Sequence, residues 1–503
     1  MIQNTNNEKE VYDAIIIGAG PAGLTAGYEL AKNHKSVLIL ESDEKYVGGI
    51  ARTASYKNFK FDIGGHRFFT KSEIVKDLWK ELLEPKFWLY QVPRLSRIYY
   101  NKKFFSYPLK AFDAVFKLGF LKSILFISSY SYYKIFPVKD VKSFEDWVTN
   151  NFGKRLYLAF FKTYTEKVWG IPCKEISADW AAQRIKGLSL TGAIKNAVTD
   201  LLPKRKNKKN KIIKTLIDKF DYPIYGPGML WEAASKKIES LGGDVKLSSK
   251  VTKIIVKDQI VVNCEINQGQ RKEFGKNFIS TLPIKNLINM VNPNPPKEII
   301  TAANALKYRD FLTVVLILNQ NEIFPDNWIY IHEPGVQLGR IQNFKNWSIE
   351  MVPNKSQTAL GLEYFCNTGD ELWNMPDSEL VELGIEEITK IGITNRDVLL
   401  DGTVVRMPKA YPVYDESYKQ NVQSIRDWLS ENIKNLQLVG RNGMHMYNNQ
   451  DHSMLSAYLA AKNLLGEKWD PWLVNADAEY HESGEVTQSG RLSPKRIKKV
   501  IPG

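Results

Sequence analysis

The chain has 503 residues, a formal net charge of +14 and a hydrophobic fraction of 44%. This length exceeds what one hydrophobic core usually carries, so we expect two or three substructures. The positive charge predicts an acidic partner, such as an anionic membrane or a phosphorylated substrate. We do not expect nucleic acid as that partner, because the basic runs lack interleaved aromatic residues and no zinc-finger or RNA-binding signature is present.

The chain begins with the polar stretch "MIQNTNNEKEVYD", which lacks the apolar segment of a secretory signal. Its apolar runs are shorter than the roughly 18 residues that a membrane-spanning helix needs. Cys173, Cys264 and Cys366 lie far apart, without a CxxC pair or a zinc-type histidine spacing. We therefore expect a cytoplasmic chain with buried, reduced thiols and with neither a membrane span nor a metal site.

The strongest pattern is "YDAIIIGAGPAGLTAGYELAKNHKSVLILE" near the start of the chain. An apolar run predicts a buried parallel strand, which is followed by GxGxxG at Gly18, Gly20 and Gly23, a helix, and a second strand that ends at Glu41. Glycines at these positions let backbone N–H groups approach a pyrophosphate at the helix N-terminus. Glu41 is placed to accept hydrogen bonds from a ribose 2′-hydroxyl. The pattern predicts a dinucleotide-binding domain.

Two further glycine-rich stretches follow this unit. Gly48 and Gly49 lead into Arg52, and "FDIGGHRFF" contains a second glycine pair that is followed by His66. An NAD enzyme needs only the first glycine turn. Repeated backbone approaches therefore favour FAD, a larger ligand that is held permanently.

Later segments are predicted to return to the same domain. "VTKIIVKDQIVV" and "FISTLP" read as strands of the nucleotide sheet. "LQLVGRNGM" predicts a strand that ends on glycine, followed by the helix-like "DHSMLSAYLAAKNLL". We expect the positive end of this helix to face the pyrimidine oxygens of the flavin.

The predicted fold class is α/β, with a Rossmann-like FAD-binding domain of the glutathione-reductase-like type and two inserted substrate domains. Within the second insertion, "FLTVVLILN" predicts a buried strand. The predicted boundaries are 10–71, 216–285 and 431–467 for the FAD-binding domain, 72–215 for a largely helical insertion, 286–430 for a mixed α/β substrate domain, and 468–503 for a C-terminal extension with a basic tail. The residues expected to contact FAD are Gly18, Gly20, Pro21, Ala22, Gly23, Glu41, Gly48, Gly49, Arg52, Gly64, Gly65, His66, Val251, Gly440, Arg441, Ser453 and Met454.

GxGxxG, the Gly48–Gly49 loop and the C-terminal "VGR" resemble the flavoprotein superfamily of amine oxidases, protoporphyrinogen oxidases, phytoene desaturases and UDP-galactopyranose mutases. Within it, "YTEKVWG" (Tyr164 to Gly170) looks most like the mutases. That resemblance implies an isomerase of a nucleotide-linked sugar, which interconverts pyranose and furanose rings through covalent catalysis by N5 of reduced FAD. The expected role of such an enzyme is surface polysaccharide synthesis.

The same resemblance implies roles for individual side chains, although each could instead be a core aromatic or an ion-pair partner. Tyr164 would stack on the base and Trp169 would line the sugar pocket. Arg184 would contact the substrate and Arg340 would grip the diphosphate. The remaining implied site residues are Tyr411 or Tyr414 as donor of a hydroxyl to phosphate, Arg441 and Tyr447 beside flavin and diphosphate, and His66 facing the flavin.

The chain departs from the mutases in its greater length, in the basic run at 203–211 and in the pair that follows the histidine of "GGHRFF". One alternative is an FAD-dependent oxidoreductase acting on a ring-system or lipid-linked substrate. Another is a non-catalytic prenyl-binding protein on the same fold.

The expected partners follow from these alternatives. They are a nucleotide-diphosphate sugar or a lipid-linked small substrate, together with an external reductant such as NAD(P)H. The stretch "FKLGFLKSILFISSYSYYKIF" predicts a buried helix pair, or alternatively an interfacial helix at the inner face of the membrane.

Overall fold

The computed structural model describes residues 11–107, 117–178, 180–181 and 218–474. In chain order, its strands are β1 (Val11–Ile17), β2 (Val37–Leu40), β3 (Thr53–Tyr56), β4 (Phe59–Asp62), β5 (Trp88–Pro93), β6 (Ser96–Tyr100), β7 (Lys103–Ser106), β8 (Lys219–Pro223), β9 (Asp244–Lys246), β10 (Val251–Lys257), β11 (Ile260–Ile266), β12 (Arg271–Ser280), β13 (Val291–Asn292), β14 (Tyr308–Leu318), β15 (Trp328–Ile331), β16 (Arg340–Asn343), β17 (Thr358–Cys366), β18 (Leu399–Pro412) and β19 (Leu436–Leu438). Its α-helices are α1 (Pro21–Lys32), α2 (Glu73–Leu82), α3 (Phe120–Ile135), α4 (Phe144–Phe152), α5 (Lys154–Leu156), α6 (Thr163–Trp169), α7 (Gly228–Ser240), α8 (Ile284–Met290), α9 (Lys297–Ala305), α10 (Glu371–Asn374), α11 (Asp377–Lys390), α12 (Tyr418–Asn432), α13 (Gly440–Gly443) and α14 (Gln450–Leu464).

A parallel sheet is formed by β19, β12, β1, β2 and β9, in that order. The register places Ile16 of β1 between Ile39 and Ile279. β10 and β11 extend the sheet as an antiparallel meander through β12. The predicted strands from the start, middle and end of the chain therefore do meet in one sheet.

Both faces of this sheet are covered, which explains the continuous apolar run of β1. Ile16 packs with Leu24 and with residues of α7 and α14, whereas Ile17 packs with residues of α8, α9 and α12. Full burial of a side chain such as Leu24 contributes about 1.5–3 kcal/mol. Because α9 and α12 cover this sheet, its structural unit extends beyond the predicted boundaries at 285 and 431.

The second sheet has the order β18, β14, β17, β16, β15, β6, β7. β14 contains the predicted strand "FLTVVLIL", and its residues from Arg309 to Leu318 are all buried. The prediction of helix is wrong for 88–106, because β5, β6 and β7 lie there and β6 and β7 join this sheet. Asn101 and Lys102 both have positive φ, 50° and 58°, as in the tight turns that connect hairpin strands.

The helical prediction is correct for 120–169, where α3 to α6 and a π-helical segment at Tyr157–Lys162 follow one another. α3 packs through Tyr130 against the segment around Gly153. Its other side exposes apolar residues, including Leu121 (78% exposed), Tyr132 (56%) and Ile135 (69%). The expectation of a buried helix pair is therefore wrong, and within the part of the chain that the structure describes this apolar stripe faces outward.

The three cysteines are buried and form no disulfide, as expected. Within the described ranges, no helix combines the length and the apolar character needed to cross a membrane. The basic run at 203–211 and the basic tail lie outside the described residues.

A buried carboxyl group joins β4 to β8. Asp62 accepts hydrogen bonds from the Tyr222 hydroxyl at 2.5 Å and from the Thr53 hydroxyl at 3.1 Å. Burial raises the pKa of Asp62 to about 7, and these two hydrogen bonds limit the rise.

The raised pKa of Asp62 predicts a pH-dependent stability. In the unfolded chain this carboxyl ionises near its ordinary pKa of 3.8, whereas in the folded chain it keeps its proton up to about pH 7. The stabilisation that the protonated Asp62 contributes to the folded state is therefore complete below pH 3.8 and is lost as the pH rises to 7. Since one pKa unit corresponds to about 1.4 kcal/mol, we expect Asp62→Asn to gain roughly 3–4 kcal/mol relative to wild type between pH 4 and pH 7 in urea unfolding. The exposed Asp77→Asn variant is the control, and parallel pH curves for Asp62→Asn and wild type would contradict the prediction.

Candidate active site

The glycine turn after β1 lies against the second glycine pair. Gly18 has φ +100°, and a side chain there would overlap the Thr281 hydroxyl. The Gly48 N–H donates to the carbonyl of Ala19 at 2.8 Å. A Cβ on Gly49 would lie 3.3 Å from the Cα of Gly20. The two glycine-rich stretches therefore form a crevice that is lined by backbone.

Glu41 stands at the end of β2, beside this crevice. Its Oε2 accepts a hydrogen bond from the Ala19 N–H at 2.7 Å, and its Oε1 accepts one from the Asp43 N–H at 2.9 Å. The Ser249 N–H donates to the Glu41 carbonyl at 2.7 Å, which brings Val251 to the same end of the crevice. Glu41 therefore contacts the first glycine turn directly, and Val251 follows two residues after Ser249.

Arg52 closes the other side of the crevice. Its Nη1 donates to the Gly49 carbonyl at 3.3 Å and lies 3.6 Å from Asp43 Oδ2. Its Nε is buried and has no hydrogen-bond partner in the structure. It is energetically costly to bury an N–H donor of a charged group without an acceptor. The unpartnered Nε of Arg52 therefore supports a bound anion at this position.

The C-terminal segment completes the crevice. Gly440 follows β19 with φ +80°, and a Cβ on it would lie 3.0 Å from the Cβ of Ala22. Ser453 and Met454 lie in the first turn of α14 and are buried. The Met454 sulfur accepts a hydrogen bond from Trp79 Nε1 at 3.2 Å, so its side chain belongs to the core and only its backbone can serve a ligand.

The His66 loop separates this crevice from the second sheet. His66 Nδ1 lies 3.1 Å from the Gly64 carbonyl, and Gly65 is exposed. Burial, together with the charges of Arg441 and Arg340, lowers the pKa of His66 to about 3. His66 is therefore neutral at physiological pH, with an arginine on either side.

Arg340 is held by a carboxylate that the sequence reasoning missed. Arg340 and Glu363 lie directly opposite each other on β16 and β17, and Arg340 Nε donates to Glu363 Oε2 at 2.8 Å. Nη2 of Arg340 donates to the same oxygen, while Gln342 Nε2 donates to Oε1 at 2.8 Å. Burial opposes the charge of Arg340, but Glu363 raises its pKa well above the ordinary value.

The structure distinguishes Tyr411 from Tyr414, the two tyrosines that the sequence offered as donors of a hydroxyl to phosphate. Tyr411 stacks on Tyr447 with a centroid distance of 5.5 Å, and the Arg441 guanidinium lies 5.3 Å from the Tyr411 ring. Tyr414 instead accepts the Tyr447 N–H at 2.6 Å. Tyr411 therefore faces the arginines, and Tyr414 supports the loop that carries Tyr447.

Arg441 is largely occupied by the protein. Its Nε donates to the Asn448 carbonyl at 2.8 Å and its Nη1 to the Ala410 carbonyl at 3.1 Å. Its guanidinium carbon lies 5.3 Å from the centre of the Tyr411 ring and 5.1 Å from that of the Tyr447 ring. Arg441 orients these tyrosines as much as it supplies charge.

"YTEKVWG" forms helix α6, whose C-terminal end is fixed by Arg309. Arg309 donates to the carbonyls of Val168 at 3.1 Å and Lys167 at 3.3 Å, which satisfies terminal helix acceptors. Glu166 and Lys167 do not pair with each other. Glu166 accepts the Cys173 N–H at 3.1 Å, whereas Lys167 donates to three carbonyls between residues 331 and 338.

The two aromatic residues of α6 have different surroundings. Tyr164 stacks on His332 at 4.6 Å with an interplanar angle of 4°, and its edge meets Tyr330 at 5.6 Å. One face of Tyr164 is therefore covered by His332, and Tyr330 lies perpendicular to its ring. Trp169 is buried, and the centre of its ring lies 6.3 Å from that of Tyr411. It therefore packs against the pair formed by Tyr411 and Tyr447.

Arg184 lies outside the described residues. Glu363 could have been found from its setting, since it is a lone charge in the otherwise apolar and fully buried strand "TALGLEYFC". Tyr330 and His332 carried no such signal. Among the described residues, no group of three or more His, Cys, Asp or Glu side chains could hold a metal ion.

The comparisons with known proteins agree with this architecture. Residues 16–82 match the model of the NAD(P)-binding Rossmann-like domain. An L-amino-acid oxidase of Crotalus adamanteus is 42% identical over 77 residues, which are 15% of this chain and 14% of that protein. The chain thus spans only a small part of the curated relatives that it matches.

Solved structures extend the likeness to nearly the whole chain. A reduced UDP-galactopyranose mutase has a TM-score of 0.79 at 20% identity, covering 93% of this chain and 98% of that one. A putrescine oxidase redesigned in its cofactor binding has a TM-score of 0.61 at 12% identity, covering 91% and 100%. The predicted fold is confirmed, with amine oxidases and a mutase among its structural neighbours, and the prediction of FAD agrees with these likenesses.

The buried Arg340–Glu363 pair generates a stability prediction. Removal of one partner from a buried pair typically costs about 3–5 kcal/mol, because the other charge remains buried without compensation. We therefore expect Glu363→Gln and Arg340→Gln each to destabilise strongly, and the double variant to lose less than the sum in urea unfolding. The exposed pair Arg396 and Glu382 is the control, for which little or no loss of stability is expected because solvent screens the two charges. Additive losses at Arg340 and Glu363 would contradict the prediction.

Proposed function

We propose that this chain is an FAD-dependent enzyme that isomerises a nucleotide-linked sugar. The observation that carries the proposal is the cleft of Arg340, Tyr164 and Tyr411 beside a neutral His66. It offers a guanidinium and hydroxyl groups, and the carboxylate of Glu363 is already engaged by Arg340 and Gln342. The fold shared with a UDP-galactopyranose mutase supports it.

The residues of the crevice fit FAD. The unpartnered Nε of Arg52 and the backbone around Gly20 and Gly49 suit a pyrophosphate, while Glu41 and the segment at Val251 suit the adenosine half. The loop at Gly64–His66, Gly440 and the start of α14 would hold the ring system. When bound and reduced, FAD supplies a nucleophilic nitrogen to such an isomerisation.

The side chains of the cleft would act on the rest of the reaction. Arg340, whose Nε and Nη2 both donate to Glu363, would stabilise the negative charge that develops on a departing nucleoside diphosphate. Fixed charge of this kind often contributes more to catalysis than any other single effect. Burial raises the pKa of Tyr411, so its hydroxyl keeps its proton and can donate to the same charge. Tyr164 would orient the base, and the neutral His66 would contact the cofactor without adding charge.

A second candidate is an FAD-dependent oxidoreductase that acts on a lipid-linked substrate. The observation that favours it is the exposed apolar stripe of α3, which carries Lys122 and Lys134 on the same helix and could rest on an anionic membrane surface. This reaction would use the same cofactor crevice but would need an external electron acceptor. Net consumption of oxygen or NAD(P) distinguishes it from an isomerase.

The cofactor assignment is tested at Glu41. We expect Glu41→Ala to weaken FAD binding by about tenfold or more, since the ribose loses a charged acceptor and the turn loses the Glu41–Ala19 hydrogen bond. Flavin content and titration of the apoprotein with FAD measure the effect. Glu44→Ala, an exposed carboxylate in the same loop, should bind FAD normally. Equal flavin affinity in Glu41→Ala and wild type would place the ribose elsewhere.

The reaction is tested with a panel of UDP-, GDP- and dTDP-sugars. We expect turnover only after reduction by dithionite or NAD(P)H, and no further consumption of reductant during turnover. Tyr411→Phe should lower kcat/KM roughly tenfold to a hundredfold at unchanged flavin content, because only a donor to the developing charge is lost. Tyr414→Phe should instead act mainly on stability. Stoichiometric consumption of oxygen or NAD(P)H during turnover would contradict the proposed isomerase and support the oxidoreductase.

A further inference from the structure

A second group of cationic and aromatic side chains lies in the same cleft and has no role in the function proposed above. Arg94 follows β5, and its guanidinium carbon lies 5.2 Å from the Trp328 ring and 5.4 Å from the Tyr107 ring. Arg67, the residue after His66, lies 5.9 Å from the same Trp328 ring. Two arginines thus converge on one tryptophan.

Several hydrogen-bond donors of this group lack acceptors. The Nε and Nη2 atoms of Arg94 are buried and have no hydrogen-bond partner in the structure, and the same holds for Nε1 of Trp328. Aromatic faces attract the charge of a guanidinium, but they do not replace the strong acceptors that its N–H groups require. Buried donors of a charged group are costly to leave unpaired, so an acceptor from outside the chain is the physical expectation.

The charge around this group is predominantly positive. Burial and the neighbouring charge of Arg94 lower the pKa of Arg67 to about 10, although Asp451 opposes the shift. Two buried cations that repel each other are stabilised by an anion between them. Tyr107 also lies within the field of both arginines, and its hydroxyl keeps its proton because burial raises its pKa.

The strand register connects this group to Arg340. On the antiparallel strands β15 and β16, Trp328 lies opposite Gln342 and Tyr330 lies opposite Arg340. Trp328 and Tyr330 are two residues apart, so they point to the same face of the sheet and are separated by about 7 Å along the strand. The rings of Tyr107 and Tyr330 are in contact, with a centroid distance of 4.6 Å and an interplanar angle of 43°. One ligand can therefore reach both groups.

We propose that Arg94 and Arg67, with Tyr107 and Trp328, form a second anion-binding subsite that takes a phosphate group of the substrate. A phosphate offers several acceptors at tetrahedral angles, which suits donors that converge from two guanidinium groups and an indole N–H. The subsite extends the proposed function, since it requires a substrate with phosphate near this end of the cleft, but it does not depend on the type of reaction. The residues of this subsite are distinct from Arg340, so mutations can test the subsite and Arg340 independently.

Binding of inorganic pyrophosphate to the flavin-loaded protein tests the subsite by titration calorimetry. We expect Arg94→Gln to weaken this binding by about tenfold or more, since charge-assisted hydrogen bonds are lost. Arg155→Gln removes an exposed arginine and is the charge-matched control, with unchanged affinity expected. Arg94→Lys keeps the charge but loses the forked donors, so an intermediate affinity is expected, and this variant serves if Arg94→Gln does not fold.

Two results would overturn the subsite. One is the absence of pyrophosphate binding to the wild-type protein. The other is a loss of binding in Arg340→Gln with unchanged affinity in Arg94→Gln, which would place the anion at Arg340 alone. The proposed isomerisation fails separately, if nucleotide sugars are not turned over while binding of pyrophosphate still depends on Arg94.

Discussion

Glu363 is the buried charge on which the geometry of the cleft depends. A carboxylate in a strand that is buried along its whole length must be compensated, and the compensation comes from Arg340 and Gln342 on the adjacent strand. These contacts hold Arg340 in one orientation at the floor of the cleft. Gln342 in turn lies beside Gly65, where an added Cβ would be 3.1 Å from its Nε2. One buried ion pair therefore sets the position of a cation and the space available to the His66 loop.

The electrostatics of the site follow from burial. His66 and His332 are both neutral because burial lowers the pKa of each to about 3, whereas Arg340 keeps its charge because Glu363 lies against it. Burial also keeps the hydroxyls of Tyr164 and Tyr411 protonated. The cleft thus combines fixed positive charge with neutral hydrogen-bond donors. Under the proposed function, this combination would suit an anionic substrate.

The two halves of the fold meet through a few specific contacts. Arg441 and Asn442, which follow β19, donate to the carbonyls of Ala410 at 3.1 Å and Lys409 at 2.8 Å on β18 of the second sheet. The predicted cofactor crevice and the predicted substrate residues are therefore parts of one structure, although they come from distant segments. The apolar stripe of α3, by contrast, is exposed on the surface of the described chain.

The sequence by itself determined the nucleotide-binding half, because its signals are local. The glycine spacing from Gly18 to Gly23, the strand before it and Glu41 after it lie within one short segment, and each follows from a backbone requirement that few other residues satisfy. Only the tertiary structure decided the substrate side. Tyr411 and Tyr414 are indistinguishable in sequence, and they differ because one ring stacks beside Arg441 while the other hydroxyl accepts the Tyr447 N–H. The roles of Arg94 and Glu363 likewise depend on strands that are distant in the sequence. Glu363 forms a cross-strand pair, and Arg94 has buried donors without acceptors, and both features exist only after the sheets have formed.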